Sequence, residues 1–227
     1  MKNLIFSITI FTLIFASCNK DADINQTQSS CDFKDFKYYN GIEHYLGELS
    51  NDYVLIGIDT TNSDIEIQNF ISTVKQLDQN YEYTIHNSSK YKFKEIPVKF
   101  KASKSCEEIT QIISDLEQNK IVSYIHFTMQ TDNCQNAIWE PVGKLCVNSY
   151  GSIFYVKLFD ENDLNDLIQM ISETNTELVG QNESMPKWYE LSATKHADGD
   201  ALKMANHFYE SGLFEQSEPS ISKYPVE

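Results

Sequence analysis

Arginine is absent from this 227-residue chain, whose formal charge at pH 7 is −15. Arginine is the side chain best suited to bind phosphate and guanine through two parallel hydrogen bonds, and an acidic chain repels nucleic acid phosphates. None of the 8 glycines belongs to a Walker loop or to a glycine-rich dinucleotide-binding motif. We therefore expect no nucleic-acid partner and no nucleotide cofactor.

Recognisable catalytic and metal-binding motifs are missing as well. The five histidines include no pair at i+3 or i+4 spacing, and no two cysteines are separated by two residues. Asp59 follows a predicted strand, but no motif for a catalytic histidine or serine accompanies it. Acidic pairs such as Glu107 and Glu108 lie at predicted helix starts, where they complement the macrodipole. The sequence thus predicts no metal, no cofactor and no enzyme activity.

The N-terminus has the pattern of an export signal. Lys2 precedes an apolar run from Leu4 to Phe15, which is too short to span a bilayer comfortably. The following Ala16-Ser17-Cys18 resembles a bacterial lipobox, which implies that residues 1–17 are a lipoprotein signal peptide and that Cys18 carries lipid. The alternative is an ordinary cleavable signal peptide with a coincidental cysteine.

Residues 18–31 are almost entirely polar, and we expect them to form a flexible tether. Within them, 19–23 resemble the lysine-and-acid tag of lipoproteins that reach the cell surface. The expected location is the cell envelope of a Gram-negative bacterium, with a lipid anchor in the outer membrane and exposure at the surface. Acyl chains make such a tether firm without a transmembrane helix.

Four further cysteines follow Cys18, an even number in an oxidising compartment. They allow three disulfide pairings, among which the sequence does not choose, and free buried thiols are the alternative for any pair. The four residues are Cys31, Cys106, Cys134 and Cys146.

The body of the chain repeats one order of predicted elements: strand, helix, strand, strand, helix, strand. Ser63 with Glu66, and Ser105 with Glu108, form capping boxes for the helices of the first half. In the second half, Asp160 or Asn162 is expected to cap the first helix. The second helix is expected to span residues 199–211, and Gly212 follows it at the position where a left-handed residue commonly ends a helix. The predicted strands are 53–58, 81–86, 92–101 and 121–129, then 153–159, 176–179, 188–193 and a last one from Leu213.

This repeat predicts an α+β fold of two tandem ferredoxin-like βαββαβ units with antiparallel sheets. Residues 32–135 would hold a lead-in segment and the first unit, and residues 136–227 the second unit with a C-terminal tail. The alternative is a single domain with a coincidental repeat.

The most specific stretch runs through residues 186–219. It contains Lys187-Trp188-Tyr189-Glu190-Leu191-Ser192-Ala193-Thr194-Lys195, then the helix sequence 199–215, then Glu218-Pro219. This block resembles the end of the fervidolysin-like N-terminal prodomain of secreted subtilisin-like serine proteases. A catalytic domain follows the block in that family, whereas this sequence ends at Glu227. We therefore expect a prodomain-like module that acts without an attached protease.

The resemblance implies how a partner would be bound. A subtilase prodomain lays its sheet against two surface helices of the protease and places its C-terminal segment in the substrate cleft by β-augmentation. The segment from Glu218 to Glu227 would be that tail, and truncation after Glu215 would weaken inhibition more than folding. The implied partner-binding residues are Trp188, Tyr189, Leu191, Glu218, Pro219, Tyr224 and Pro225.

Three roles stay open for such a module: an inhibitor or chaperone in trans, a relic, or a module reused for another binding task. The competing class is a surface lipoprotein that binds a peptide or glycan through its many aromatic side chains, which include 13 Tyr and 13 Phe.

Overall fold

The computed structural model describes residues 30–87, 92–135 and 141–227. The predicted signal peptide, Cys18 and all but the end of the tether lie outside these residues. No helix within the described part is long and apolar enough to cross a membrane.

The described chain begins with a short lead-in hairpin and continues through the two predicted units. The hairpin consists of β1 (Phe36–Tyr39) and β2 (Ile42–Tyr45). The first unit contains β3 (Leu49–Asp59), α1 (Asp64–Thr73), β4 (His86–Asn87), β5 (Phe93–Lys99), α2 (Cys106–Glu117) and β6 (Val122–Thr131). The second contains β7 (Cys146–Lys157), α3 (Asn165–Thr174), β8 (Glu177–Gln181), β9 (Trp188–Ser192), α4 (Ala201–Glu210) and β10 (Gln216–Pro225).

Both units have the same strand order. The first reads β4-β5-β3-β6, and the second reads β8-β9-β7 with β10 on the other side of β7, all antiparallel. In each, the second, third, first and fourth strands of a βαββαβ unit lie side by side, which is the ferredoxin-like arrangement. The predicted fold class is therefore confirmed. The interval between β6 and β7 coincides with the predicted boundary, and the division into two separate domains stays a prediction.

The two units share one sheet, because the end of β6 pairs with the start of β7 from Met129 opposite Asn148 to Thr131 opposite Cys146. Each unit keeps its own hydrophobic core between its helices and one sheet face. A third, smaller cluster joins Leu55 of β3 to Val147 and Tyr224 of the second unit. Leu55 lies between two strand neighbours that face the helices, so this cluster forms where the helix-free faces of the two units meet.

Local sequence signals set several helix ends as expected. Ser63 Oγ accepts from the backbone N–H of Glu66, whose carboxylate accepts from the backbone N–H of Ser63, and Ser105 with Glu108 repeats this arrangement. Gly212 adopts the predicted left-handed conformation, with φ of 72°. Side-chain caps and a left-handed glycine are local devices, which is why the sequence alone located them.

Other boundaries differ from the expectations. The N-cap of α3 is Leu164, without a side-chain cap, because Asp160 instead accepts from the backbone N–H of Asn162 within a turn. The apolar side chain of Ile168 in α3 is 60% exposed. Of the predicted strand 81–86, only its end at His86 lies in β4, and the last strand begins at Gln216 rather than Leu213.

The four cysteines form two disulfides. Cys31 bonds Cys106 at the start of α2, and Cys134 bonds Cys146 at the start of β7. The second bridge closes the connection between the units, whereas the first joins two segments 75 residues apart. This pairing is one of the three that the sequence left open.

Residues 31–46, here called the strap, join the two units from outside. The strap is bonded to α2 through Cys31, and Phe33 packs against both hydrophobic cores. Further along, Lys37 Nζ lies 3.1 Å from Glu218 of β10, and Tyr38 Oη donates to Glu210 of α4 at 3.1 Å. The strap therefore covers the outer edge of the second unit, where β10 has β7 as its paired strand.

Candidate partner-binding surface and the cleft between the units

The helix-free face of the second unit is set by strand alternation. Phe154 and Val156 of β7 are fully buried against the helices, so the residues between and after them point to the opposite face. On that face Tyr155 lies opposite Glu190, and Lys157 lies opposite Trp188. We call these four residues, together with Glu218 opposite Tyr155 on β10, the open face.

Lys157 organises one end of the open face. Its ammonium lies 6.0 Å from the ring centroid of Trp188 and 2.5 Å from Glu215 Oε1. The ion pair holds the lysine over the indole, and the half-buried indole is therefore held against the sheet. An aromatic anchor beside charged groups is the composition that carries binding energy in protein interfaces.

A cleft of about 150 Å³ lies beside the open face, between the helix-free faces of the two units. Its walls come from β5 and β6 of the first unit and from β7, β8, β9 and β10 of the second. Lining residues include Phe93, Glu95, Tyr124, Gly151, Glu177 and Glu190.

Glu95 joins the two units at the base of this cleft. Tyr124 Oη of β6 donates to its Oε1 at 2.9 Å, and Tyr224 Oη of β10 donates to its Oε2 at 2.7 Å. A Cβ on Gly151 would stand 2.2 Å from Glu95 Oε1, so the carboxylate approaches β7 this closely only because that residue is glycine.

Burial raises the pKa of Tyr124 well above its ordinary value, and the neighbouring charge of Glu95 raises it further. The phenol therefore keeps its proton at neutral pH and remains a hydrogen-bond donor. The cleft consequently has a fixed polar base that depends on both units.

The three predicted partner-binding residues in β9 lie on two different faces of the sheet. Trp188 lies on the open face. Tyr189 and Leu191 are 6% and 0% exposed and belong to the core beneath the helices. A partner that contacts the folded protein does not reach these two side chains, because alternate positions of a strand point to opposite faces.

The expectation of a free C-terminal tail is wrong. Glu218, Pro219, Tyr224 and Pro225 all lie in β10, which pairs with β7 from Gln216 to the end of the strand. Tyr224 is 4% exposed and contributes to the core. A segment that completes the fourth strand of its own unit is not available to pair with a partner's cleft.

Sequence reasoning did not predict the cleft residues. Glu95 carried little signal, because Lys94 and Lys99 make its strand only partly apolar. Tyr124 and Gly151 carried none, since their roles arise only when two strands distant in sequence meet. Within residues 30–87, 92–135 and 141–227, no group of three or more His, Cys, Asp or Glu side chains is placed to hold a metal ion.

Comparison with known proteins adds little to this geometry. No family model matches the chain, and no curated protein does. Among solved structures, the chain is similar to the acetolactate synthase small subunit from Thermotoga maritima, at 12% sequence identity, with 76% of this chain and 94% of that chain covered and a TM-score of 0.25. So low a score supports no functional argument, and the assignment to the tandem ferredoxin-like α+β class rests on the strand order described above.

Proposed function

We propose that this chain is a non-catalytic lipoprotein that binds a subtilisin-like protease in trans, as an inhibitor or folding chaperone. The observation that supports the proposal most is Trp188, which belongs to the block that resembles a subtilase prodomain and stands on the open face of the second unit. The open face is the surface that, by the resemblance, would lie against the protease.

The arrangement of β10 changes how such a complex would form. Because the C-terminal segment pairs with β7, the contact would use the sheet as a rigid platform. Glu218 would take part through its side chain on the open face, next to Tyr155. Lys37 of the strap lies 3.1 Å from this carboxylate, so the strap would border the contact.

The proposed site of action is the cell envelope of a Gram-negative bacterium. Lipid on Cys18, outside the described residues, would hold the protein at the outer membrane, with exposure at the cell surface. The tether and the strap would then connect the anchor to the open face.

Inhibition of a subtilisin-like protease from the same cell tests the proposal. Purified protein that begins after Cys18 should inhibit the protease, or assist its refolding, at micromolar concentration, which corresponds to a binding free energy of about −8 kcal/mol. Trp188→Ala should weaken binding at least about tenfold, since truncating an interface aromatic removes a major part of the binding energy. Ile65→Ala is the control, because Ile65 is an apolar side chain that is 70% exposed on α1 of the first unit, away from the open face.

Absence of both inhibition and refolding assistance at that concentration would shift the assignment to the second candidate function, capture of a peptide or glycan. The cleft between the two units favours this alternative, because it combines the aromatic side chains of Phe93 and Tyr124 with the carboxylates of Glu177 and Glu190. Ligand screening by thermal shift, with Glu190→Gln as the cleft variant, would separate it from protease binding.

A further inference from the structure

A second polar cavity lies alongside the part of β6 that precedes its pairing with β7. It has a volume of about 150 Å³ and is lined by residues of α2, β6, the strap and the connection between β9 and α4. Asp32, Glu117 and Lys195 line both this cavity and an outer cleft of about 460 Å³. The inner cavity therefore adjoins a surface cleft through which a ligand could enter.

His126 forms the wall of this cavity and is 1% exposed. Its Nδ1 lies 2.7 Å from the backbone oxygen of Tyr150. A carbonyl oxygen only accepts, so Nδ1 carries the hydrogen, and in the neutral ring Nε2 is then an acceptor. Within the described residues, no hydrogen bond reaches Nε2.

The imidazole is fixed in this orientation by its neighbours. The rings of Tyr124 and Tyr150 stack on its two faces, each with a centroid distance of 4.6 Å. Burial lowers the pKa of His126, although the Asp200 carboxylate acts in the opposite direction. The lowered pKa keeps the ring neutral at neutral pH. Nε2 of this fixed ring is therefore the nitrogen that is left to accept a hydrogen bond from a ligand.

The remaining polar groups of the cavity are also mostly acceptors. Asp200 accepts from Tyr150 Oη at 3.0 Å and from the backbone N–H of Lys203 at 2.8 Å, and a carboxylate has room for further donors. Glu117 accepts from one backbone N–H at 3.1 Å. The ammonium of Lys195 donates to a backbone oxygen outside the cavity lining, that of Asn119, at 2.8 Å.

We propose that this cavity binds the amine or ammonium head group of a small organic cation. The N–H groups of the ligand would donate to His126 Nε2 and to the carboxylates of Asp200 and Glu117. A cavity of about this volume holds a molecule the size of benzene, so the head group would occupy the inner cavity and the rest of the ligand the outer cleft. The site is distinct from the open face and does not depend on the protease proposal.

Ethylammonium is the probe, and tetramethylammonium, which has the same charge but no N–H group, is the control ligand. Ethylammonium should shift the ¹⁵N resonance of His126 Nε2 saturably and raise the melting temperature, whereas tetramethylammonium should do neither. Glu117→Gln should weaken ethylammonium binding about tenfold, because it removes a charge-assisted bond but keeps the acceptor for the backbone N–H. His44→Phe, in the exposed β2 strand, should bind as the unmodified protein does.

Three outcomes would overturn the proposal: no saturable shift of the His126 resonance, equal shifts from both cations, or unchanged affinity in Glu117→Gln. Because Gln preserves the hydrogen bond to the backbone, that variant is expected to fold, and circular dichroism verifies this before binding is measured. His126→Phe should abolish the rise in melting temperature with ethylammonium and serves as a second variant if it folds.

Discussion

Replacing Tyr224 by Phe tests whether Glu95 joins the two units. The change keeps the buried ring and removes the hydroxyl that donates to Glu95 Oε2 at 2.7 Å. A hydrogen bond to a charged group contributes about 1.5–3 kcal/mol, and the carboxylate oxygen would lose this donor while partly buried. We expect the free energy of unfolding to fall by about that amount, and the melting temperature to fall by about 3 to 12 °C for a chain of this length.

Urea unfolding followed by circular dichroism measures the effect, and Tyr53→Phe is the matched control. Tyr53 Oη donates to a neutral backbone oxygen, that of Val226, at 3.3 Å, so its loss should cost about 0.5–1 kcal/mol. Combining Tyr224→Phe with Glu95→Gln should give a coupling free energy of at least about 1 kcal/mol. A loss below about 0.5 kcal/mol for Tyr224→Phe, or no coupling with Glu95, would refute the reasoning.

Three further predictions follow from the strands, the disulfides and the N-terminus. Truncation after Glu215 removes β10 and should unfold the second unit, seen as loss of dispersed amide resonances; a truncated protein with native dispersion would show that β10 is dispensable. Replacing Cys31 and Cys106 by Ala should cost about 4 kcal/mol by the loop-closure estimate for a separation of 75 residues, against about 3 kcal/mol for the bridge between β6 and β7, whose separation is 12. Equal losses in thermal unfolding would argue against that entropic origin. Cys18→Ser should move the protein out of the membrane fraction or leave it unprocessed, and normal processing with retained membrane binding would contradict lipidation.

The parts of the fold that the sequence predicted correctly are those determined by neighbours in the chain. The capping boxes at Ser63 and Ser105 and the turn at Gly212 depend on residues three or four positions apart. The repeated order of elements then defined the ferredoxin-like class. The start of α3 was missed because Asp160, a good capping residue, is used in a turn and leaves Leu164 at the helix end.

The candidate sites were beyond the reach of local patterns. The strand pattern of the C-terminal segment was visible, but it did not tell whether Tyr224 would pair within the chain or with a partner. The contacts of Glu95 with Tyr224 and of His126 with the backbone of Tyr150 form only where the two units meet. The alternation of side chains along a strand does predict that Trp188 and Tyr189 point to opposite faces of the sheet. The sequence could therefore have shown that one of these two side chains is buried.

The position of the Cys31 bridge also determines how the protein responds to mechanical load. Any pull that arrives from the N-terminal side reaches a covalent cross-link to α2 at the first residue of the strap, before it reaches the rest of the strap. The load is then shared with α2, and the hydrogen bonds that hold the hairpin against β10 are not the first to be stretched. With the bridge reduced, the same pull would peel the strap from Phe33 onward, contact by contact. Single-molecule pulling would therefore show one high-force event in the oxidised protein and an earlier, low-force extension in the reduced one.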